Sequence, residues 1–207
     1  MEKRHKGLSQ PEPQRSQPQE DERCQESRSP RRRLIASLVT IFVVVVLSAF
    51  ATADPLRAVS REPEGVETFN VASRKHVKGT VKYSQTPPVG GDHNPVWQNC
   101  GFYNAQVANE NAVHSLEHGA VWITYKPDLP AGQVAVLRSL AQSQHHVLVS
   151  PYESLPSPVV ASAWGKQLQL GSVDDPRLAE FVRAFQQGPQ TPEPGAPCSG
   201  GVGRPAA

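Results

Sequence analysis

Asn109-Glu110-Asn111-Ala112-Val113-His114-Ser115-Leu116-Glu117-His118-Gly119 runs directly into Ala120-Val121-Trp122-Ile123-Thr124-Tyr125, and the rest of the chain is organised around this stretch. Its first part holds two imidazoles and a carboxylate within five residues. In a helix, His114 and His118 lie four apart and Glu117 falls beside them, so all three leave from one face and could hold a metal ion. Asn109 or Asn111 offers a short side-chain acceptor for the free amides at the helix start, and Gly119 can take the left-handed conformation that ends it. Such a helix has about two turns. The apolar, β-branched and aromatic run after it reads as a buried strand. The imidazoles are therefore expected at a helix-to-strand junction, on a rigid base.

Upstream, Pro87-Pro88-Val89-Gly90-Gly91-Asp92-His93-Asn94-Pro95 reads as an irregular loop with His93 at its centre. Its prolines cannot donate to a sheet ladder, and its glycines permit unusual backbone angles. Loops held against a rigid scaffold often carry function, which makes His93 a candidate partner for the helical histidines.

Downstream, Pro127-Asp128-Leu129-Pro130 is a turn, and Val134, Leu137, Leu140 and Ala141 recur at helical spacing over 131–143. Val147-Leu148-Val149-Ser150 reads as a short buried strand. Val159 to Trp164 and Lys166 to Leu170 read as one or two strands with Gly165 as a bulge or bend. Asp174-Asp175-Pro176 opens a last helix, whose apolar stripe is Leu178, Phe181, Val182 and Phe185. The order of elements predicts an α+β domain over 66–187, with an antiparallel or mixed sheet covered by helices on one face.

The flanks differ in composition. Residues 1–33 hold 9 Lys plus Arg and 6 Asp plus Glu, with little to bury, and are expected to be disordered. The net charge of +2 therefore resides in this tail, and the remainder is near neutral, which does not suggest a nucleic-acid surface. Residues 34–53 are 20 consecutive uncharged, mostly aliphatic residues, which as a helix span about 30 Å, the thickness of a hydrocarbon core. With Arg31, Arg32 and Arg33 against its N-terminal end, this reads as a single-pass membrane helix, its N-terminus cytoplasmic and its C-terminal domain extracytoplasmic. The competing reading is a cleaved signal peptide, since Ala51-Thr52-Ala53 has a small-x-small form. Residues 54–65 read as a tether, and the proline- and glycine-rich residues 188–207 as a disordered end.

That placement puts Cys100 and Cys198 on an oxidising side, where two thiols more often pair than stay free. The rival reading makes Cys100 a metal ligand and leaves Cys198 unpaired. His76, in a charged stretch, and His145 and His146, at a helix end, read as solvated; Trp97, Trp122 and Trp164 read as core or cleft-wall residues.

The Pro87-Pro88 to His93 loop, Trp97 through Tyr103, the His114 to Gly119 block with its strand, and Leu148 to Trp164 together resemble the bacterial membrane-anchored proteins grouped as domain-of-unknown-function family 3105. The resemblance covers roughly residues 66–187. It implies one N-terminal membrane helix and an outer domain without an established activity. In that family a His in the Pro-Pro loop and a His-x-x-Glu-His block recur, at positions held here by His93, His114, Glu117 and His118. Where many relatives have Ser-Gly-Pro before the loop His, this chain has Gly90-Gly91-Asp92.

Three functions fit these residues. The first is a domain binding a divalent metal, Cu(II) or Zn(II), through His93, His114, Glu117 and His118. A thioether-rich Cu(I) site is excluded, because the one methionine is Met1. The second is a structural or partner-binding envelope module with its histidines in a polar core cluster. The third is a zinc hydrolase, since His-x-x-Glu-His is the inverted zincin order with Glu as general base.

Overall fold

The computed structural model of the protein describes residues 62–206. The expected tail (1–33), membrane span (34–53) and most of the tether (54–65) lie outside the described residues. Among those described, no helix is long and apolar enough to cross a membrane.

Within them, six strands form one mixed sheet. In chain order they are β1 (Glu67–Thr68), β2 (Gly101–Phe102), β3 (Val121–Tyr125), β4 (Val147–Pro151), β5 (Val159–Ala163) and β6 (Lys166–Leu170). Their order across the sheet is β1-β6-β5-β3-β4-β2. The helices are α1 (Asn109–Glu117), α2 (Ala131–Ser143) and α3 (Pro176–Phe185). The class is α+β with a mixed sheet, as the pattern of elements predicts.

The middle of the sheet is β3, parallel to β4 and antiparallel to β5. All of its residues are buried, which is what a run of Val, Trp, Ile, Thr and Tyr favours. β3 joins β4 through α2, the crossover that parallel neighbours require. Between β5 and β6, Ala163 pairs with Lys166 and leaves Trp164 and Gly165 as a two-residue hairpin turn. Gly165 has φ +68°, the positive angle that its place as second central residue calls for, and the expected bulge or bend is this tight turn.

Helices cover both faces of the sheet, not one. Leu137 and Ala141 of α2 and Leu178, Phe181 and Val182 of α3 pack on the face formed by Val121, Ile123, Val149 and Leu168. Ala112, Val113 and Leu116 of α1 pack on the opposite face, against Trp122, Leu148, Val160 and Trp164. Because β3 is buried at every position and apolar at all but Thr124, it offers a core to either side; full burial of each aliphatic side chain contributes about 1.5–3 kcal/mol.

The second correction concerns the chain after Gln187. Residues 188–206 are not a loose end but a strap laid over α1 and the β2 edge. Cys198 is joined to Cys100 by a disulfide with Cα atoms 5.3 Å apart. Val202 donates its amide to Trp97 O at 2.9 Å, and Ala206 donates to Phe102 O at 2.7 Å. Glycines and prolines here serve close backbone approach, not freedom: a Cβ on Gly201 would stand 2.7 Å from the Trp97 ring. The ordered domain thus runs well past the expected boundary at 187.

Candidate metal centre

α1 is short and buried all round from Ala112 to Glu117. Its N-cap is Ala108, without a side-chain cap; Asn109 Oδ1 is buried and makes no hydrogen bond, and Asn111 and Glu110 are turned to neighbouring loops. Asn111 Nδ2 donates to Val96 O at 2.6 Å, and Glu110 Oε1 accepts from the Val81 amide at 2.8 Å. Its end is as the sequence predicts. Gly119 has φ +88°. Its amide bonds Leu116 O at 3.0 Å, and the Ala120 amide bonds Ser115 O at 2.9 Å, the paired pattern of a Schellman cap. This turn sends the chain from α1 straight into β3 and holds Glu117 in place.

The loop before α1 wraps its first turn. Asn94 donates its amide to Glu110 O at 3.2 Å, and Gln98 donates its amide to Asn111 O at 3.0 Å. His93 is thereby delivered, wholly buried, over α1. A short parallel bridge then brings in His76: Val77 donates to His93 O at 2.8 Å and His93 donates to Lys75 O at 3.0 Å. Asp92 ties the same two segments together, accepting from the Ser73 hydroxyl and from the Lys75 amide at 2.9 Å. Those two bonds hold its carboxyl below the usual range.

His76, His93, His114 and Glu117 therefore converge, and one ligand atom from each lies within 4.8 Å of the others. Two of the rings are oriented by backbone carbonyls. His93 Nδ1 is 2.8 Å from Gly91 O, and His114 Nδ1 is 2.6 Å from Asn94 O. A carbonyl only accepts, so each Nδ1 carries a proton, and in the neutral ring the Nε2 lone pair is free. This is how metal-ligating histidines are usually held by their outer partners. Burial, the largest cause, pushes His114 down to about 4, against the raising effect of the Asn94 carbonyl and with the aid of neighbouring histidines. At neutral pH it is an uncharged ligand.

The inner face of the cluster has an unmet need. His93 Nε2 is 2.9 Å from Glu117 Oε2. It is buried and makes no hydrogen bond, because the two groups are close but misaligned. His76 Nε2 lies 3.9 Å from the same oxygen, and Arg74 Nη1 lies 3.7 Å from Glu117 Oε1. A tetrahedral ion about 2.0–2.1 Å from each nitrogen separates its ligands by roughly 3.4 Å. The ligand atoms, from 2.9 Å to within 4.8 Å of one another, bracket that spacing, so the cluster could hold a metal.

Of the residues singled out in the sequence, His93, His114 and Glu117 come together here. His118 does not join them. It is the residue after the last turn of α1, and its Nδ1 is 2.7 Å from Pro197 O. Its Nε2 faces Glu193 Oε2 at 3.6 Å, and its ring lies against Trp97. The strap takes His118, and the vacated position in the set belongs to His76. The cluster thus takes His114 and Glu117 from the His-x-x-Glu-His block, while the His118 ring stands 4.5 Å from that of His114. His145 is exposed, as expected, whereas His146 Nε2 approaches Ala196 O at 3.0 Å. Cys100 is in the disulfide, which removes it as a ligand.

The family model described as "Protein of unknown function (DUF3105)" matches residues 75–200, more than half of the chain and all four residues of the cluster. No curated protein and no solved structure matches the chain.

Proposed function

We propose that this chain, a member of the DUF3105 family of unknown function, is a metal-binding protein whose ion is held by His76, His93 and His114 through Nε2 and by Glu117 through a carboxylate oxygen. The observation that carries this reading is the buried His93 Nε2, which has no hydrogen bond although a buried carboxylate stands 2.9 Å away. An imidazole lone pair beside a carboxylate is a pair of donors that a cation would join as the two groups move apart by about half an ångström. Three imidazoles and one carboxylate are borderline donors, suited to Zn(II) or Cu(II). Such a set favours holding or handing on an ion.

The same reading places the domain outside a membrane, anchored by residues 34–53. Its supports are the apolar run in the sequence and the Cys100–Cys198 bridge, which persists on an oxidising side. The experiment is metal analysis of the full chain purified from metal-replete cells, with an active-outside reporter fused beyond the strap. About one equivalent of zinc or copper, lost in a His93→Ala/His114→Ala variant, is the expected result. A metal-free protein that takes up neither ion on titration would leave a polar core cluster as the explanation.

A further inference from the structure

A cleft of about 520 Å³ borders the cluster, lined by Val71, Arg74, Lys75, Trp164 and Pro192 among others. That volume is in the range of small-molecule sites. It connects to the metal ligands at three points. Arg74 reaches Glu117 from the cleft at 3.7 Å, the Trp164 ring stands edge-on to His93 at 6.0 Å, and Lys75 precedes His76 in the chain. His93, His114 and Glu117 are buried, whereas the His76 side chain, next in the chain to the cleft-lining Lys75, is half exposed, so the cluster meets solvent at His76.

The charges around the cleft make its preference depend on the ion. Arg74 and Lys75 line it, Glu117 stands 3.7 Å behind Arg74, Asp92 is bonded to the Ser73–Lys75 segment, and Glu193 is next to Pro192. Two cations thus face three carboxylates in the metal-free protein. A divalent ion reverses that balance, and by taking up the charge of Glu117 it frees the Arg74 guanidinium for another anion. Trp164, Val71 and Pro192 supply apolar walls, which a ligand consisting only of charge would leave unused.

Resting on the metal reading above, we infer that the loaded protein binds a small carboxylate with a planar or apolar body, its carboxylate placed between the ion and Arg74 and its body against Trp164. Arg74 is a ligand-positioning residue in this arrangement, chosen by the match of a guanidinium to a carboxylate.

The test uses the full chain loaded with Co(II), whose visible bands report changes in coordination, titrated with benzoate and with acetate. Benzoate is expected to shift the bands saturably and to bind more tightly than acetate, and metal-free protein is expected to bind neither. Arg74→Met is expected to weaken benzoate about tenfold while still binding Co(II), with any change in Co(II) affinity an increase, since the Arg74 contact to Glu117 is lost, and Arg74→Lys to restore part of the benzoate loss. Equal benzoate affinity in Arg74→Met and wild type, or no response of the Co(II) bands to benzoate, overturns the inference and leaves the metal centre standing. Failure of Co(II) itself to bind overturns both.

Discussion

His93 Nε2 and Glu117 Oε2 stand 2.9 Å apart, both shut away from solvent, without the alignment of a hydrogen bond. The proton of a neutral His93 is on the other nitrogen, committed to Gly91 O. Acceptor therefore faces acceptor, an arrangement that raises the energy of the metal-free protein and is relieved by a cation.

Glu117→Gln separates these effects. A glutamine amide can donate to the free Nε2, so the metal-free variant is expected to melt higher than wild type, by about 2–4 °C for each kcal/mol gained. Zn(II) at a hundredfold excess over Kd is expected to raise the wild-type Tm by about 5–10 °C and that of the variant hardly at all. Calorimetric melting with and without Zn(II) checks both, and a variant stabilised by Zn(II) as much as wild type would exclude Glu117 as a ligand.

The five histidine substitutions are ranked by position. His93→Ala and His114→Ala are expected to lower metal affinity by more than about 100-fold, beyond the range that outer partners account for. His76→Ala is expected to lower it too, His118→Ala to leave it within about tenfold, and His145→Ala to change nothing. Competition titrations against a chelator of known affinity read these differences, and a loss at His118 exceeding that at His76 would restore the ligand set expected from helical spacing.

Metal-free stability carries a signature of His114. Its folded pKa is depressed to about 4 against about 6.5 in the unfolded chain, so between these values the unfolded state holds a proton that the folded state refuses. Stability from this group is complete above about pH 6.5 and falls as pH drops towards 4, at up to about 1.4 kcal/mol per pH unit. Urea unfolding at pH 7, 6, 5 and 4 is expected to show that slope, and His114→Gln to flatten it. Protons compete with a metal for the folded His114 imidazole only towards its depressed value of about 4.

The strap is expected to depend on its disulfide. Cys100→Ser/Cys198→Ser should lose about 2–5 kcal/mol in denaturant unfolding and expose residues 188–206 to limited proteolysis. The wild-type protein, unreduced, should resist thiol alkylation at both positions. Ready labelling of Cys100 in the native protein would contradict the bridge.

What the sequence conveyed, and what it withheld, follows from the range of the interactions involved. α1, β3, α2 and α3 rest on apolar periodicity and end signals a few residues apart, and Asp175 caps α3 by accepting from the Arg177 amide at 3.0 Å as its pattern predicts. β1 and β2 are two residues long and exist only because β6 and β4 present edges to them. His76 lies in an extended, charged segment with no period, and two backbone bonds to its distant neighbour His93 make it part of the cluster. His118 has helical spacing from His114, yet a carbonyl 79 residues further on captures its ring. Composition misled at the strap as well, since proline and glycine there mark tight approach to Trp97 and Gly101 instead of disorder.

That strap also sets the order in which the protein can be built. The disulfide closes over a sequence separation of 98, so the last covering of α1 is made after every strand of the sheet has been synthesised. Contacts of such high contact order slow folding, because chain entropy is lost long before the contact forms. A nascent chain emerging N-terminus first would carry His118 and the Glu117 carbonyl at the end of α1 uncovered until the strap arrives. Maturation of the centre is thus tied to oxidation: under reducing conditions the domain is expected to refold with its sheet in place and its lid still open.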